Sequence, residues 1–184
     1  MVELRYLTEC PEAVQSKVRT WAGTEEFAKQ VAPDFVLGYE PGVETGVHLG
    51  NEVRPGKSRR QHNWVIFADD QPVGVVFASI QDQPDPDSAE TEDPTDYPCL
   101  GTATYIDLSH RGRKYASASK QAISEHEVAR GVRSFRCMIR ANNPDSLSAI
   151  EKAGYECFWT EHVPGEADRL HFRRRIEGRS DQST

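Results

Sequence analysis

The feature that constrains the fold most lies at residues 105–123. There, a strand pattern runs into a helix pattern through a cationic turn. The turn contains His110, Arg111, Gly112, Arg113 and Lys114. A helix start already carries partial positive charge and free backbone NH groups, so cations there oppose the helix dipole. A bound phosphate or pyrophosphate would accept those NH groups and neutralise the cations, and glycine would let it approach the backbone. A solvated basic turn is the competing interpretation.

A second strand-to-helix unit follows at residues 134–155. Apolar and polar residues alternate from 135 to 140, which predicts a strand. Asn143 suits a helix N-cap, Pro144 suits the first helical position, and Gly154 is typical of a helix end. The chain therefore contains two consecutive strand-to-helix units, of which the first has a cationic turn.

Together the two units resemble the GNAT N-acetyltransferase superfamily. The sequence RGRKYA at 111–116 is similar to that family's pyrophosphate loop, Q/R-x-x-G-x-G/A, and NPDSLSAIEKAGY at 143–155 is similar to its second cofactor motif. Two positions depart from the pattern. Lys114 stands where the loop usually has its first glycine, and Ile150 stands where many members have a tyrosine that protonates the departing thiolate.

The resemblance implies an α/β fold of the mixed α+β kind, with a mostly antiparallel central sheet flanked by helices. Two splayed parallel strands, at 100–108 and 134–140, would hold the cofactor between them. One domain would cover residues 1–176, and residues 177–184 would form a flexible tail.

The implied activity is transfer of an acetyl group from acetyl-CoA to a primary amine of a small molecule or peptide, by direct attack in a ternary complex. The cofactor-binding residues implied by the resemblance are Ile106, Asp107, Leu108, Arg111, Gly112, Arg113, Lys114, Tyr115, Ala116, Ser117, Asn143, Ser146 and Lys152. A catalytically weak module that binds CoA as a sensor, and a transferase of longer acyl groups, are the alternatives.

The amine must lose a proton before it attacks, because an alkylammonium has a pKa near about 10. The candidate groups for this step are Asp96, Tyr97, Tyr105 and Asp107, and each of them also suits a structural role. Ser146 or Ser148 could protonate the thiolate instead of a tyrosine. The six histidines lack the spacing of a metal site, and no G-x-S-x-G marks a serine nucleophile.

A net charge of −7 and a pI near 5.4 argue against a nucleic-acid or anionic-membrane partner and are compatible with a cationic amine substrate. The sequence has no apolar stretch long enough to span a bilayer, so we expect a cytoplasmic protein, monomeric or homodimeric. The four cysteines are far apart in sequence, which predicts reduced thiols in the core.

The remaining segments have less specific patterns. Helices are predicted at 11–21 and 25–31, and strands at 64–68, 73–80, 155–160 and 169–176. Residues 69–72 suit a hairpin turn, residues 36–57 suit a long loop, and the acidic residues 81–98 suit a solvated loop. The run Arg173 to Arg175 is typical of an exposed strand. GNEVRPGKS at 50–58 has five residues between its glycines, whereas a nucleotide P-loop has four.

Overall fold

The structure is a computed structural model that describes residues 2–31, 44–49, 52–84 and 93–176. The chain divides into two compact units. The first contains Met1–Ile80 and Thr102–Arg130, and the second contains Gln81–Gly101 and Gly131–Thr184. The predicted tail at 177–184 lies outside the described residues, and one domain over 1–176 stays a prediction.

Short elements alternate along the described chain. In order they are β1 (Glu3–Tyr6), α1 (Glu12–Ala22), α2 (Glu25–Gln30), β2 (Glu44–Leu49), β3 (Glu52–Ala68), β4 (Gln71–Gln81), β5 (Cys99–Ile106), α3 (Tyr115–Glu125), β6 (Ser134–Arg140), α4 (Pro144–Lys152), β7 (Glu156–Glu161) and β8 (Arg169–Arg175). Single 3-10 turns lie at Leu7–Glu9, Pro94–Asp96, Leu108–His110 and Glu127–Ala129.

The sheet of the first unit is antiparallel. Both β1 and β2 pair with β3, β3 pairs with β4, and β4 neighbours β5. The predicted hairpin turn between β3 and β4 is confirmed, with Asp69 and Asp70 both at positive φ (50° and 59°). At Gly74 a Cβ atom would lie 2.2 Å from the carbonyl oxygen of Tyr105, so only glycine allows β4 to approach β5 this closely.

The predicted loop at 36–57 is wrong for the part that the structure describes. Glu44–Leu49 and Glu52–Ala68 form an antiparallel pair, so β3 begins twelve residues before the predicted start at Trp64. Glycine, proline and acidic residues lower strand propensity, but cross-strand pairing overrides propensity in a hairpin of this length. Residues 52–58 of the P-loop-like segment belong to a strand, so this segment is not a nucleotide P-loop.

The core of the first unit lies between the sheet and the helices α1 and α2. Trp21 and Phe27 pack on Tyr105, with ring centroids 5.8 and 5.1 Å from it, and Phe27 also meets Phe77 edge to face. The sheet residues of this cluster alternate along β3 and β4, as expected when one face of a strand is buried. The predicted helices at 11–21 and 25–31 are confirmed within a residue or so.

The sheet of the second unit combines one parallel pair with antiparallel pairs. Cys99–Gly101 pair in parallel with Ser134–Arg136, while β6, β8 and β7 follow one another antiparallel. The parallel pairing stops at Arg136, although β6 continues to Arg140. One short parallel pair among mostly antiparallel strands, together with the helices, confirms the predicted mixed α+β fold class.

In the second unit α4 covers one face of the sheet. Ile150 is 3% exposed and packs with Ile139 and Phe172. Asn143 caps α4 through its side-chain oxygen, which accepts a hydrogen bond from the Ser146 NH at 3.2 Å, and Gly154 follows the helix at φ 76°. The predicted limits of this helix are therefore confirmed.

The prediction of a solvated acidic loop at 81–98 is wrong at Asp96, and residues 85–92 of that segment lie outside the described residues. Asp96, placed in a solvated acidic loop, is 1% exposed, and its carboxylate oxygens accept hydrogen bonds from Arg173 at 2.8 Å and Arg175 at 2.6 Å. Arg175 is exposed at the end of β8, as predicted, and both arginines form ion pairs with Asp96. Opposite charges that lie 77 or more residues apart in sequence cannot be matched from composition alone.

Among the described residues, no helix has the length and apolar character that crossing a bilayer requires.

Candidate functional site

The cationic turn of the first unit leads from β5 into α3. Gly112 lies at φ 77°, and no atom stands within 4 Å of the place where its Cβ would be. Lys114, at the N-cap of α3, also adopts the left-handed conformation, with φ 62° and ψ 17°. A lysine thus occupies the backbone conformation for which glycine is preferred, at the position where the resemblance expects glycine.

The side chain of Arg111 stabilises this turn. Its Nε donates to the carbonyl oxygen of Ile106 at 3.1 Å, and its guanidinium lies 2.9 Å from Glu26 of α2. The side chain therefore holds the end of β5, and its predicted role toward a phosphate would fall on the remaining guanidinium NH groups. Leu108, taken in the sequence as the last strand residue, lies in a 3-10 turn and is 62% exposed.

The start of α3 has the features of an anion site. The first NH groups of a helix have no acceptor within the helix, and no side chain caps α3. Arg113 and Lys114 are exposed beside these NH groups, and neither joins an ion pair within the described part of the chain. Free NH groups, two cations and open space above Gly112 match the chemistry of a pyrophosphate.

The remaining predicted cofactor residues of the first unit surround this turn. Asp107 donates its NH to Val73 at 3.0 Å, which ties the turn to β4. Ile106 is buried, and Tyr115, Ala116 and Ser117 form the first turn of α3. The structure thus brings the predicted residues from 106 to 117 together.

The second motif lies on α4 in the second unit. Lys152 and Ser148 are exposed on this helix, whereas Asn143 is engaged as its cap. Ile150 points into the core, so the side chain that replaces the family's tyrosine contributes packing. The pKa of the nearby Tyr155 is raised to about 12 by burial, and this phenol therefore stays protonated at neutral pH.

Each of the four predicted base candidates lies in a different environment. Asp96 is enclosed by arginines, and the phenol oxygen of Tyr97 accepts from Arg136 at 2.9 Å. Burial and then the neighbouring Asp107 raise the pKa of Tyr105, so it is a poor base at neutral pH. The carboxylate of Asp107 is half-buried and accepts from Ser109 at 3.0 Å.

The second unit also groups side chains that the sequence analysis did not identify. Met138, His171 and Trp159 lie side by side across β6, β8 and β7, and the rings of His171 and Trp159 are 4.4 Å apart. The His171 Nε2 atom lies 3.3 Å from Glu161. This group is formed by strand register, which the spacing of these residues along the chain does not reveal.

Comparison with known proteins assigns the fold and the family. The sequence profile of the acetyltransferase (GNAT) family matches residues 35–155. The structure of the aminoglycoside acetyltransferase AAC(6')-Ib with coenzyme A and kanamycin aligns at a TM-score of 0.62, with 16% identity over 95% of both chains. The same enzyme with coenzyme A alone aligns at 0.60, with 14% identity over 95% of both chains.

A Salmonella typhimurium acetyltransferase that modifies the N-terminal serine of ribosomal protein L7/L12 aligns at 0.48, with 19% identity over 64% of both chains. No curated protein sequence is significantly similar to this chain. The family profile spans about two thirds of the 184 residues and includes the cationic turn and the α4 motif. The chain therefore belongs to the GNAT family of acetyltransferases, which take the acetyl group from acetyl-CoA.

Proposed function

We propose that this protein transfers an acetyl group from acetyl-CoA to the primary amine of a small molecule or peptide, by direct attack in a ternary complex. The anion site at the start of α3 carries this proposal, because it has the NH groups, cations and open glycine that a pyrophosphate needs. Acetyl-CoA supplies an acetyl group activated as a thioester, and the chain supplies binding and orientation.

The residues proposed to bind the cofactor fall into two groups. Backbone NH groups from Gly112 to Ser117, with the Arg113 and Lys114 side chains, would hold the pyrophosphate. Ile106, Asp107 and Leu108 would offer backbone groups to the pantetheine arm. On α4, Ser146 and Lys152 remain proposed ligands, and Asn143 would contribute by setting the start of the helix.

The acceptor is proposed to be an amine that is cationic in solution, in keeping with the net charge of −7. The structure of AAC(6')-Ib to which this chain is similar contains kanamycin, and kanamycin is therefore a reasonable first acceptor to test. A peptide with a free N-terminal serine and spermidine represent two further amine classes. We propose a soluble monomer or homodimer with no nucleic-acid partner.

Titration calorimetry with acetyl-CoA tests the cofactor site. We expect one-to-one binding to the natural protein and a loss of about tenfold or more in affinity for Gly112→Trp, because the indole would fill the space above the turn. Gly165→Trp is the matched control, since Gly165 has φ 79° and equally open surroundings. Equal affinity in both variants would disprove the pyrophosphate assignment.

Thiol release during incubation with acetyl-CoA and each amine tests the activity. Turnover on any amine supports the transferase assignment. Tight acetyl-CoA binding without turnover on kanamycin, spermidine, the serine peptide and benzylamine would favour the CoA-binding sensor, the alternative that Lys114 and Ile150 suggest. Faster release from a longer acyl-CoA would identify a different acyl donor.

A further inference from the structure

On the strands of the second unit, the face opposite α4 holds a row of side chains. Side chains alternate along a strand, so Cys137 and Ile139 face α4 while Met138 faces the other way. Cross-strand register continues this row from Met138 to His171 and Trp159. Met138 and Trp159 are 38% and 37% exposed. Because these two side chains are exposed, a ligand can reach the row.

The row lies just beyond the point where the parallel pairing of β5 with β6 ends. Pairing between β5 and β6 ends at Arg136, two residues before Met138. His171 is the Cα partner of Met138 on the next strand, about 5 Å away. If the acyl end of the cofactor lies at the end of this parallel pairing, His171 lies one strand from it.

The hydrogen bond to Glu161 orients the imidazole. A carboxylate can only accept, so the His171 Nε2 atom, 3.3 Å from Glu161, carries the proton. In a neutral ring the lone pair is then on Nδ1, and no hydrogen bond among the described residues involves that atom. The Trp159 ring lies against the imidazole, with the ring centroids 4.4 Å apart and the ring planes tilted by 36°. A base oriented by a carboxylate is the arrangement that proton abstraction needs.

The surroundings of the ring favour its neutral form. Burial is the main influence and lowers the pKa of His171. Glu161 on β7 opposes this effect, while Arg169 on its own strand and Arg136 on β6 lower the pKa further. A neutral imidazole can accept a proton from an ammonium ion.

We propose that His171 is the general base that takes the proton from the acceptor ammonium, and that Glu161 is a positioning residue that holds the ring. This inference rests on the proposed function and adds a residue to it. His171 Nδ1 takes one proton and releases it to solvent. The freed amine nitrogen bonds to the acetyl carbon as the carbon–sulfur bond breaks. The second amine proton goes to the departing thiolate, so the products are an amide, CoA thiol and one proton.

The pH dependence of kcat/KM provides the test, with the fastest acceptor of the amine panel. We expect the rate of the natural protein to rise with pH through the His171 pKa, below the ordinary histidine range, and then level off. In His171→Gln we expect kcat to fall about 100-fold or more. The residual rate should keep rising with pH toward the pKa of the amine, because only free amine then reacts.

Two further variants separate catalysis from structure. Adding imidazole to His171→Ala should restore part of the rate, which a purely structural role would not allow. Glu161→Gln should move the rising limb to lower pH, because Glu161 raises the His171 pKa. His162→Gln is the matched control, since His162 also pairs with a carboxylate, Asp168, at 3.1 Å but is 81% exposed.

The outcomes distinguish this inference from the proposed function. A natural protein that turns over amines while His171→Gln keeps its rate and pH profile would overturn the base assignment alone. A natural protein that turns over no amine would overturn the transferase proposal, and the inference with it.

Discussion

At the residue scale, the neighbours of a side chain decide its chemistry. His62 and His171 are both histidines on strands, yet they have different surroundings. His62 is 8% exposed, stacks on Trp64 at 5.4 Å and lies 3.3 Å from the Tyr6 hydroxyl. His171 is only half-buried and pairs with a carboxylate. Neither environment follows from the flanking sequence.

His62 makes stability depend on pH. Burial, followed by the charges of His126 and Arg60, lowers its pKa from 6.5 to about 4 in the folded protein. The unfolded chain therefore takes up the proton first as the pH falls. Stability from this group is complete above pH 6.5 and decreases by up to about 3 kcal/mol toward pH 4.

We expect His62→Phe, which keeps an aromatic ring beside Trp64 but cannot be protonated, to show a smaller loss of stability over that pH range. Urea unfolding at pH 7, 5.5 and 4.5 measures the effect. His162→Phe, at an exposed position, is the control. The same slope in the natural protein and His62→Phe would contradict the assignment.

At the element scale, local patterns predicted helices better than strands. The caps Asn143 and Gly154 define α4 from adjacent residues, because capping satisfies backbone groups within one turn. The β2–β3 pair depends on contacts between strands, and its residues have weak strand propensity. Arg173 and Asp96 likewise meet only because the strands place them together.

The approach of β4 to β5 depends on Gly74. We expect Gly74→Ala to destabilise the protein by about 2 kcal/mol or more, because the added Cβ would meet the Tyr105 carbonyl at 2.2 Å and backbone must move. Chemical denaturation measures the change. Gly23→Ala is the control, since its Cβ would have ordinary contacts of 3.6 and 3.8 Å. Similar stability in both variants would contradict the close approach.

At the scale of the whole molecule, the chain forms two compact units, each with its own hydrophobic cluster. The four cysteines are free and differ in burial. Cys10 and Cys99 are buried, Cys137 is half-buried and Cys157 is exposed. That the thiols are reduced stays a prediction, and the predicted core location is wrong for Cys157.

Thiol titration compares these environments across the chain. We expect one thiol to react rapidly in the native protein and four in denaturant, because a reagent must reach the sulfur atom. Cys157→Ser should remove the rapid reaction. Rapid reaction of a second thiol in Cys157→Ser would show that Cys10, Cys99 or Cys137 is more accessible than its burial indicates.

The sequence by itself determined the family, the fold class, the glycine-containing cationic turn at 111–116 and the helix that begins after Asn143. These features are local, since glycine conformation, helix capping and the clustering of cations are all set within a few residues. Only the tertiary structure decided that Ile150 and Asp96 are buried, and that His171 lies beside Glu161 and Trp159. Strand register creates those neighbours, and register depends on pairing between residues far apart in the chain.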